Sequence, residues 1–230
     1  MASLELALVF GILLAFVHYY SGRMQDFYLR HKRVLSTFSS GVVISYLVLD
    51  LLPAIYQVQG RLSKVTFVSL LSGIAIFFLI DSHISRHKMR YKLKSEIREE
   101  HTVSLFVYHV LIGIAFIAFS ESFLDLLLFF IPLALFSAFN SISLKEVYEI
   151  EREPELVRVI LSASTLIGAL LATIVPVSRL LYFPLLGFIG GSVFYITLND
   201  VIREPERKIR YFFWGMAAYT AIIGFTWWVF

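Results

Sequence analysis

The sequence predicts an all-α integral membrane protein with eight transmembrane helices, arranged as two related groups of three around a central pair. Of its 230 residues, 58% are hydrophobic and only 16% are charged, and the mean hydropathy is +0.78. These values lie well outside the range of soluble globular proteins. Two further observations support this fold class. The apolar residues form runs of membrane-spanning length, and an internal repeat relates the two groups of helices.

The apolar runs give the number of spans. Crossing a bilayer requires about 20 apolar residues, and the fourth and fifth runs are separated only by Ser120, Glu121 and Ser122. A single helix through both would be about 64 Å long, about twice the hydrocarbon thickness, so the chain must turn back between them. The eight predicted spans are Leu4 to Tyr20, Val34 to Tyr56, Val65 to Ile80, Thr102 to Phe119, Phe123 to Leu144, Leu156 to Pro176, Leu180 to Val201 and Ile209 to Phe230.

The composition and the positions of the charges exclude several classes of protein. Cysteine is absent, which excludes disulfides, thiolate metal sites and cysteine nucleophiles. The pI of about 9.1 does not indicate nucleic acid as a partner, because the charges flank the apolar runs as loop charges do. Met1 to Tyr20 has no basic region and no small-residue cleavage site, so we expect a retained span rather than a signal peptide.

The basic residues predict the orientation in the membrane. If eight spans alternate in direction, 17 of the 20 Lys and Arg residues lie on one side, and only Arg61, Lys64 and Arg179 lie on the other. Because cytoplasmic loops carry an excess of Lys and Arg, the first side is predicted to be cytoplasmic. We therefore expect a multi-pass protein of the cell membrane with both termini extracytoplasmic.

Two stretches that lie 150 positions apart share a pattern. FSSGVVISYLVLD, Phe38 to Asp50, and FIGGSVFYITLND, Phe188 to Asp200, each begin with small residues and reach an aspartate. Under the alternating topology they run in opposite directions, which indicates an inverted repeat of the kind that brackets a translocation pathway. The alternative is a chance match between two apolar helices. Asp50 and Asp200 are candidate gate residues, or simply hydrated helix ends.

The repeat divides the chain into four parts. Residues 1–81 are predicted to form the first three-helix repeat, and residues 82–101 a cytoplasmic loop. Residues 102–146 are predicted to form the two central helices. The second three-helix repeat then covers residues 147–230.

Three stretches resemble spans of the ZIP family of divalent metal transporters. RVLSTFSSGVVISYLVLDLLPAI, Arg33 to Ile55, resembles the second span of that family, and LLGFIGGSVFYITLNDVIREPE, Leu185 to Glu206, resembles the seventh. ILSASTLIGALLATI, Ile160 to Ile174, resembles the sixth. The resemblance implies eight spans, inverted halves around spans four and five, and transport of a divalent metal or another small cation.

The resemblance also indicates which residues would line a transport pathway. In the fourth span the family carries His-x-x-x-Asp/Glu-Gly, and this sequence has His109 at the histidine and Gly113 at the carboxylate position. In the fifth span the family carries His-Glu-x-Pro-His/Glu. At the corresponding positions this sequence has Ser137, Ala138, Asn140 and Ser141. Of the metal ligands that the resemblance implies, only His109 is kept.

His109 has two interpretations. An ionisable side chain inside a span is a functional candidate, and with the polar residues of the fifth span it can form a path of neutral ligands. Equally, it can form an interhelical hydrogen bond that holds two spans together. One imidazole, an amide and hydroxyls bind a dehydrated dication poorly, because they offset none of its charge.

Four further residues are peripheral candidates. Glu121 and Asp125 are four apart at the predicted outer turn, where they can collect a cation or simply form a solvated turn. His83 and His87 can present two metal ligands on one helical face. The six Lys and Arg residues of the same loop instead favour a basic segment at anionic lipid headgroups.

Two functional hypotheses are kept. The first is a ZIP-like transporter of zinc, another divalent metal or another small cation, whose partners are the bilayer and the transported ion, with no further cofactor. The second is a non-transporting ZIP-fold scaffold or regulator, motivated by Gly113, Ala138 and Ser141 at expected ligand positions. The sequence leaves a homodimer open. An enzyme is not expected, because no GxSG-like nucleophile, paired intramembrane aspartates or DxxDG-type phosphotransferase pattern is found.

Overall fold

The described residues form a succession of helices and no strand. The computed structural model describes residues 4–21, 25–57, 61–87, 94–118, 122–148, 155–174, 178–203 and 209–229. The α-helices of these segments are α1 Leu4–Ser21, α2 Gln25–Tyr46, α3 Leu52–Gln57, α4 Arg61–His87, α5 Lys94–Ala118, α6 Phe123–Tyr148, α7 Glu155–Ile174, α8 Arg179–Arg203 and α9 Ile209–Val229.

A π-helical turn, Leu47–Leu51, joins α2 to α3 without a break. The backbone N–H of Leu52 donates to the carbonyl of Leu47, five residues back, instead of the usual four. Pro53 follows and has no N–H with which to continue the α-helical pattern. π-helical turns are rare and are frequently found at functional sites, and this one carries Asp50.

The helices are those of a multi-pass membrane protein. Within the described part of the chain, five apolar segments are long enough to cross a membrane: Val34–Gln57, Leu62–His83, Glu155–Ile174, Leu180–Asn199 and Ile209–Val229. Three shorter apolar helices accompany them, Glu5–Tyr20, Leu105–Ile117 and Phe123–Ala138. These three correspond to the predicted first, fourth and fifth spans.

The structure separates the fourth and fifth predicted spans where the sequence indicated. α5 ends at Ala118 and α6 begins at Phe123. The segment 82–101, predicted to be a loop, is partly helical in the structure, because α4 continues to His87 and α5 already begins at Lys94. Lys, Arg and Glu are good helix formers, so these helices extend beyond their apolar segments. Residues 88–93 lie outside the described part of the chain.

Two glycines bring α2 and α9 into backbone contact. A Cβ added to Gly41 would lie 2.2 Å from the carbonyl oxygen of Phe212, and one added to Gly215 would lie 2.1 Å from that of Phe38. Both distances are much shorter than a van der Waals contact, so neither position has room for a side chain. Small residues at such crossings let the backbones of membrane helices approach closely.

α4 and α8 cross in the same way. A Cβ on Gly73 would lie 2.3 Å from the carbonyl oxygen of Phe188, and one on Gly191 would lie 1.9 Å from that of Leu70. The close approach again explains why these positions are glycine.

One numbering rule relates the two helix pairs. Adding 150 to a residue of α2 gives its counterpart in α8, and adding 142 to a residue of α4 gives its counterpart in α9. Under this rule the glycine contacts of one pair fall on those of the other. One more pair of contacts obeys the same rule. The Thr220 hydroxyl lies 3.4 Å from that of Ser45, and at the corresponding positions of the other helix pair the rings of Phe78 and Tyr195 lie 6.0 Å apart.

The contacts also give the relative directions of neighbouring helices. α1 is antiparallel to α5, because Phe10 packs against Phe116 whereas His18, further along α1, packs against the earlier His109. The contacts of α1 with α6 occur in the same order along both helices, so this pair is parallel. By the same comparison α2 is parallel to α9, and α4 is parallel to α8.

Candidate functional site

Two histidines and a serine from three helices meet inside the bundle. His18 of α1, His109 of α5 and Ser137 of α6 are only 4%, 3% and 2% exposed. The Nδ1 atom of His18 lies 3.0 Å from the Ser137 hydroxyl oxygen, and Nε2 of His109 lies 3.5 Å from the same oxygen. The imidazole rings meet edge to face with their centroids 4.7 Å apart. We call these three residues the imidazole centre.

A backbone carbonyl orients the His109 ring. The Nδ1 atom of His109 lies 2.8 Å from the carbonyl oxygen of Leu105, one turn earlier in α5. A carbonyl oxygen can only accept, so Nδ1 carries the proton and donates it. In the neutral ring Nε2 then keeps its lone pair, and it is this atom that faces Ser137. The hydroxyl of Ser137 can donate to Nε2 of His109 and accept from Nδ1–H of His18.

Tyr108 links the imidazole centre to a cluster of aromatic rings. The ring centroid of Tyr108 lies 5.6 Å from that of His109, 6.0 Å from that of Phe136 and 5.6 Å from that of Phe77. The Tyr108 hydroxyl is buried and has no hydrogen-bond partner among the residues that the structure describes. A buried polar atom of this kind calls for an explanation such as an ordered water or an ion.

The imidazole centre is rich in nitrogen and has no carboxylate. Across the described segments, no three residues of the types His, Cys, Asp and Glu come together. With neutral histidines, all donors of the imidazole centre are uncharged. The imidazole centre can therefore exchange hydrogen bonds, accept a proton, or bind an ion that accepts nitrogen ligands.

Gly113 lies at the contact between α5 and α7. A Cβ at Gly113 would lie 2.0 Å from the carbonyl oxygen of Thr165 in α7, and a Cβ at Gly168 of α7 would lie 1.9 Å from that of Val110 in α5. The two backbones therefore fill the space that a longer side chain at position 113 would need. At this contact distance, no carboxylate fits at the position where the family resemblance expects one.

The other predicted pathway residues follow Ser137 in α6. Ala138 is half-buried and contributes no polar atom. Asn140 and Ser141 belong to α6, but their side chains lie outside the described part of the structure. Of the six predicted pathway residues, the structure brings together His109 and Ser137.

Asp125 stabilises the start of α6. Its backbone N–H donates to the Ser122 hydroxyl oxygen at 3.0 Å, and that hydroxyl donates to Oδ2 of Asp125 at 2.6 Å. A side-chain cap of this kind satisfies backbone groups at a helix N-terminus. Asp50, which is half-buried in the π-helical turn, is close enough to Asp125 for the two carboxyl groups to interact electrostatically. Glu121 lies outside the described residues.

The candidates at the opposite helix ends are only partly described. His83 is exposed on α4, while the side chains of His87 and Asp200 lie outside the described part. In the same region the Tyr195 hydroxyl donates to Oδ2 of Asp81 at 3.1 Å. This hydrogen bond links α8 to α4.

Sequence reasoning missed His18. It lies three residues before the end of α1, close enough to the end to be taken for an interfacial residue, and the family resemblance directed attention to spans four and five. One signal was available, because an ionisable residue within an apolar span is a functional candidate wherever it occurs.

Comparison with known proteins does not identify a family for this chain. The chain matches no protein-family model, and the search of curated proteins also finds no match. The fold and the site therefore define a class, a helical multi-pass membrane protein with a buried imidazole centre. The ZIP resemblance stays a prediction from the residues.

Proposed function

We propose that the protein is a ZIP-like membrane transporter of a divalent metal ion or another small cation. In this proposal it has eight spans. The first group consists of α1, α2 with α3, and α4; the central pair is α5 and α6; and the second group is α7, α8 and α9. The two groups are inverted repeats, and the imidazole centre lies on the pathway.

The matching helix pairs support the inverted repeat. The numbering rule exchanges α2 with α8 and α4 with α9, so it maps the first group onto the second and the second onto the first. A pseudo-two-fold axis in the membrane plane produces this exchange. The relative directions also fit eight alternating spans, in which spans two and eight are parallel, three and seven are parallel, and span one is antiparallel to four and parallel to five.

The burial of two imidazoles inside the bundle is the observation that best supports a role in transport. Ionisable side chains are costly inside a membrane protein, and where they occur they commonly mark ion pathways or proton relays. The imidazole centre lies on α1, α5 and α6, next to the repeated helix pairs. The glycine contacts join helices of different repeats, α2 to α9 and α4 to α8, so alternating exposure of the centre would come from movement of α1, α5 and α6 against these pairs.

Uptake into proteoliposomes tests transport. We expect saturable uptake of at least one ion among Zn²⁺, Fe²⁺, Mn²⁺, Co²⁺ and, under reducing conditions, Cu⁺. His109→Ala should lower this uptake by about tenfold or more. His31→Ala is the matched control, because it removes an exposed histidine, and it should leave uptake unchanged. Flat, non-saturable uptake of every ion would reject the proposal.

A second candidate is a non-transporting scaffold or regulator with the same fold. The specific observation in its favour is the backbone contact between α5 and α7 at Gly113, which fills the carboxylate position of the family. Such a protein would keep the helix packing and lose the transport chemistry. A measured flux that His109→Ala abolishes would exclude it.

A further inference from the structure

We infer that His18 is a ligand of a metal site that it forms with His109 and the Ser137 hydroxyl. The inference rests on the proposed function for the route by which an ion reaches this site, and it names the ion class. The family resemblance places ligands on the fourth and fifth spans alone. Here a ligand from α1 takes the place of those missing from α5 and α6.

The three donor atoms lie close together. The Ser137 hydroxyl oxygen lies 3.0 Å from Nδ1 of His18 and 3.5 Å from Nε2 of His109, and the ring centroids are 4.7 Å apart. Metal–nitrogen bonds are about 2.0–2.1 Å long, so two ligand nitrogens of one ion lie within about 4 Å of each other. The two nitrogens lie 3.0 and 3.5 Å from one oxygen and are therefore at most 6.5 Å apart. Rotation of the imidazoles, with His18 in the tautomer that leaves Nδ1 unprotonated, would bring both within this reach.

The surroundings of His109 are those of a metal ligand. Metal-bound histidines usually donate their other ring N–H to a carbonyl or carboxylate, which fixes the tautomer and the ring orientation. The Leu105 carbonyl already accepts from Nδ1 of His109 at 2.8 Å. The ring of the adjacent Tyr108 packs edge to face against His109, with the centroids 5.6 Å apart, and its hydroxyl is buried without a partner among the described residues.

The uncharged donors select the ion. Imidazole suits zinc, copper, iron and nickel, whereas magnesium, calcium and manganese prefer oxygen ligands. The electrostatic cost of dehydration rises with the square of the charge, so a dication costs about four times as much as a monovalent ion of equal radius. No charged donor in the imidazole centre offsets that cost. Among imidazole-binding ions, Cu⁺ therefore fits best, followed by Zn²⁺.

Metal binding by the purified full-length protein in detergent tests the site. Competition with a chromogenic chelator would be measured for Cu⁺ under reductant, for Zn²⁺ and Co²⁺, and for Mg²⁺ as the oxygen-preferring control. We expect one Cu⁺ per protein, no Mg²⁺ binding, and affinity lowered about tenfold or more by His18→Ala and by His109→Ala. Ser137→Ala should have a smaller effect. His31→Ala, at an exposed histidine, should have none.

His18→Gln separates a ligand from a structural histidine. Glutamine can still exchange a hydrogen bond with Ser137, but its amide is a poor ligand for copper. Loss of Cu⁺ binding with an unchanged thermal unfolding midpoint supports the inference. Wild-type affinity in His18→Gln would make His18 an interhelical hydrogen-bonding residue and overturn it.

The outcomes also separate this inference from the proposed function. If His109→Ala abolishes saturable uptake while both His18 variants bind and transport as the wild type does, transport stands and the role of His18 falls. If the wild type binds none of the ions, the site is rejected. Saturable uptake of some other cation would then still support transport.

Discussion

Gly113 occupies the position at which the family resemblance expects a carboxylate, and the α7 backbone takes the space that its side chain would need. Because a Cβ there would lie 2.0 Å from the Thr165 carbonyl oxygen, any side chain must push α5 and α7 apart. We expect Gly113→Ala to lower the free energy of unfolding by about 1–3 kcal/mol, the usual cost of overpacking. Denaturant unfolding in detergent would measure it.

A second helical glycine provides the matched control at the scale of single residues. A Cβ at Gly224 in α9 would meet nothing within 4 Å. Gly224→Ala should therefore leave stability unchanged or raise it by up to about 1 kcal/mol, since alanine favours helix over glycine. Equal stability of the two variants would mean that α5 and α7 are not in backbone contact.

At the scale of helices, the parallel pairing of α2 with α9 can be trapped covalently. The Ser45 and Thr220 hydroxyl oxygens are 3.4 Å apart, so two cysteine sulfurs placed there are near the geometry of a disulfide, which requires Cβ atoms about 3.5–4.5 Å apart. The chain has no cysteine of its own. We expect Ser45→Cys with Thr220→Cys to form an intramolecular disulfide under mild oxidation, detected by blocked thiol alkylation in intact-mass measurements.

Moving one cysteine along α9 tests the register of this pair. Thr226 lies six residues beyond Thr220, about 9 Å along the helix axis. Ser45→Cys with Thr226→Cys should therefore stay reduced under the same oxidation. A disulfide in this control, or none in the first variant, would contradict the packing of α2 on α9.

The apolar helices and the small residues at their crossings were largely predictable from the sequence, because they depend on apolar run length and on small residues at fixed spacing. Gly41 and Gly191 were matched by pattern, and in the structure both make backbone contacts. The π-helical turn at Asp50 was not predictable, because its hydrogen bonding depends on the local backbone near Pro53. The partnership of His18 with His109 depends on which helices are neighbours, and the spacing of residues along one chain does not contain that information.

At the scale of the whole molecule, the segregation of basic residues predicts the sidedness of every loop. In the predicted eight-span topology 17 of 20 Lys and Arg lie on one side, and the positive-inside rule predicts that this side is cytoplasmic. Four exposed positions near the ends of the predicted spans test this: Gln57 and Ser178 on the predicted outer side, and His31 and Glu155 on the predicted inner side. Each would be changed singly to cysteine in the cysteine-free chain and treated with a membrane-impermeant maleimide on intact cells.

We expect Gln57→Cys and Ser178→Cys to react on intact cells, and His31→Cys and Glu155→Cys to react only after permeabilisation. These positions also test the span count, because eight alternating spans place Gln57 and Ser178, far apart in the chain, on the same side. Labelling of Gln57→Cys and Glu155→Cys from one side would require an odd change in the number of crossings between them. The inverted relation of the two helix groups would then fail, and the proposed transport by alternating exposure would lose its structural basis.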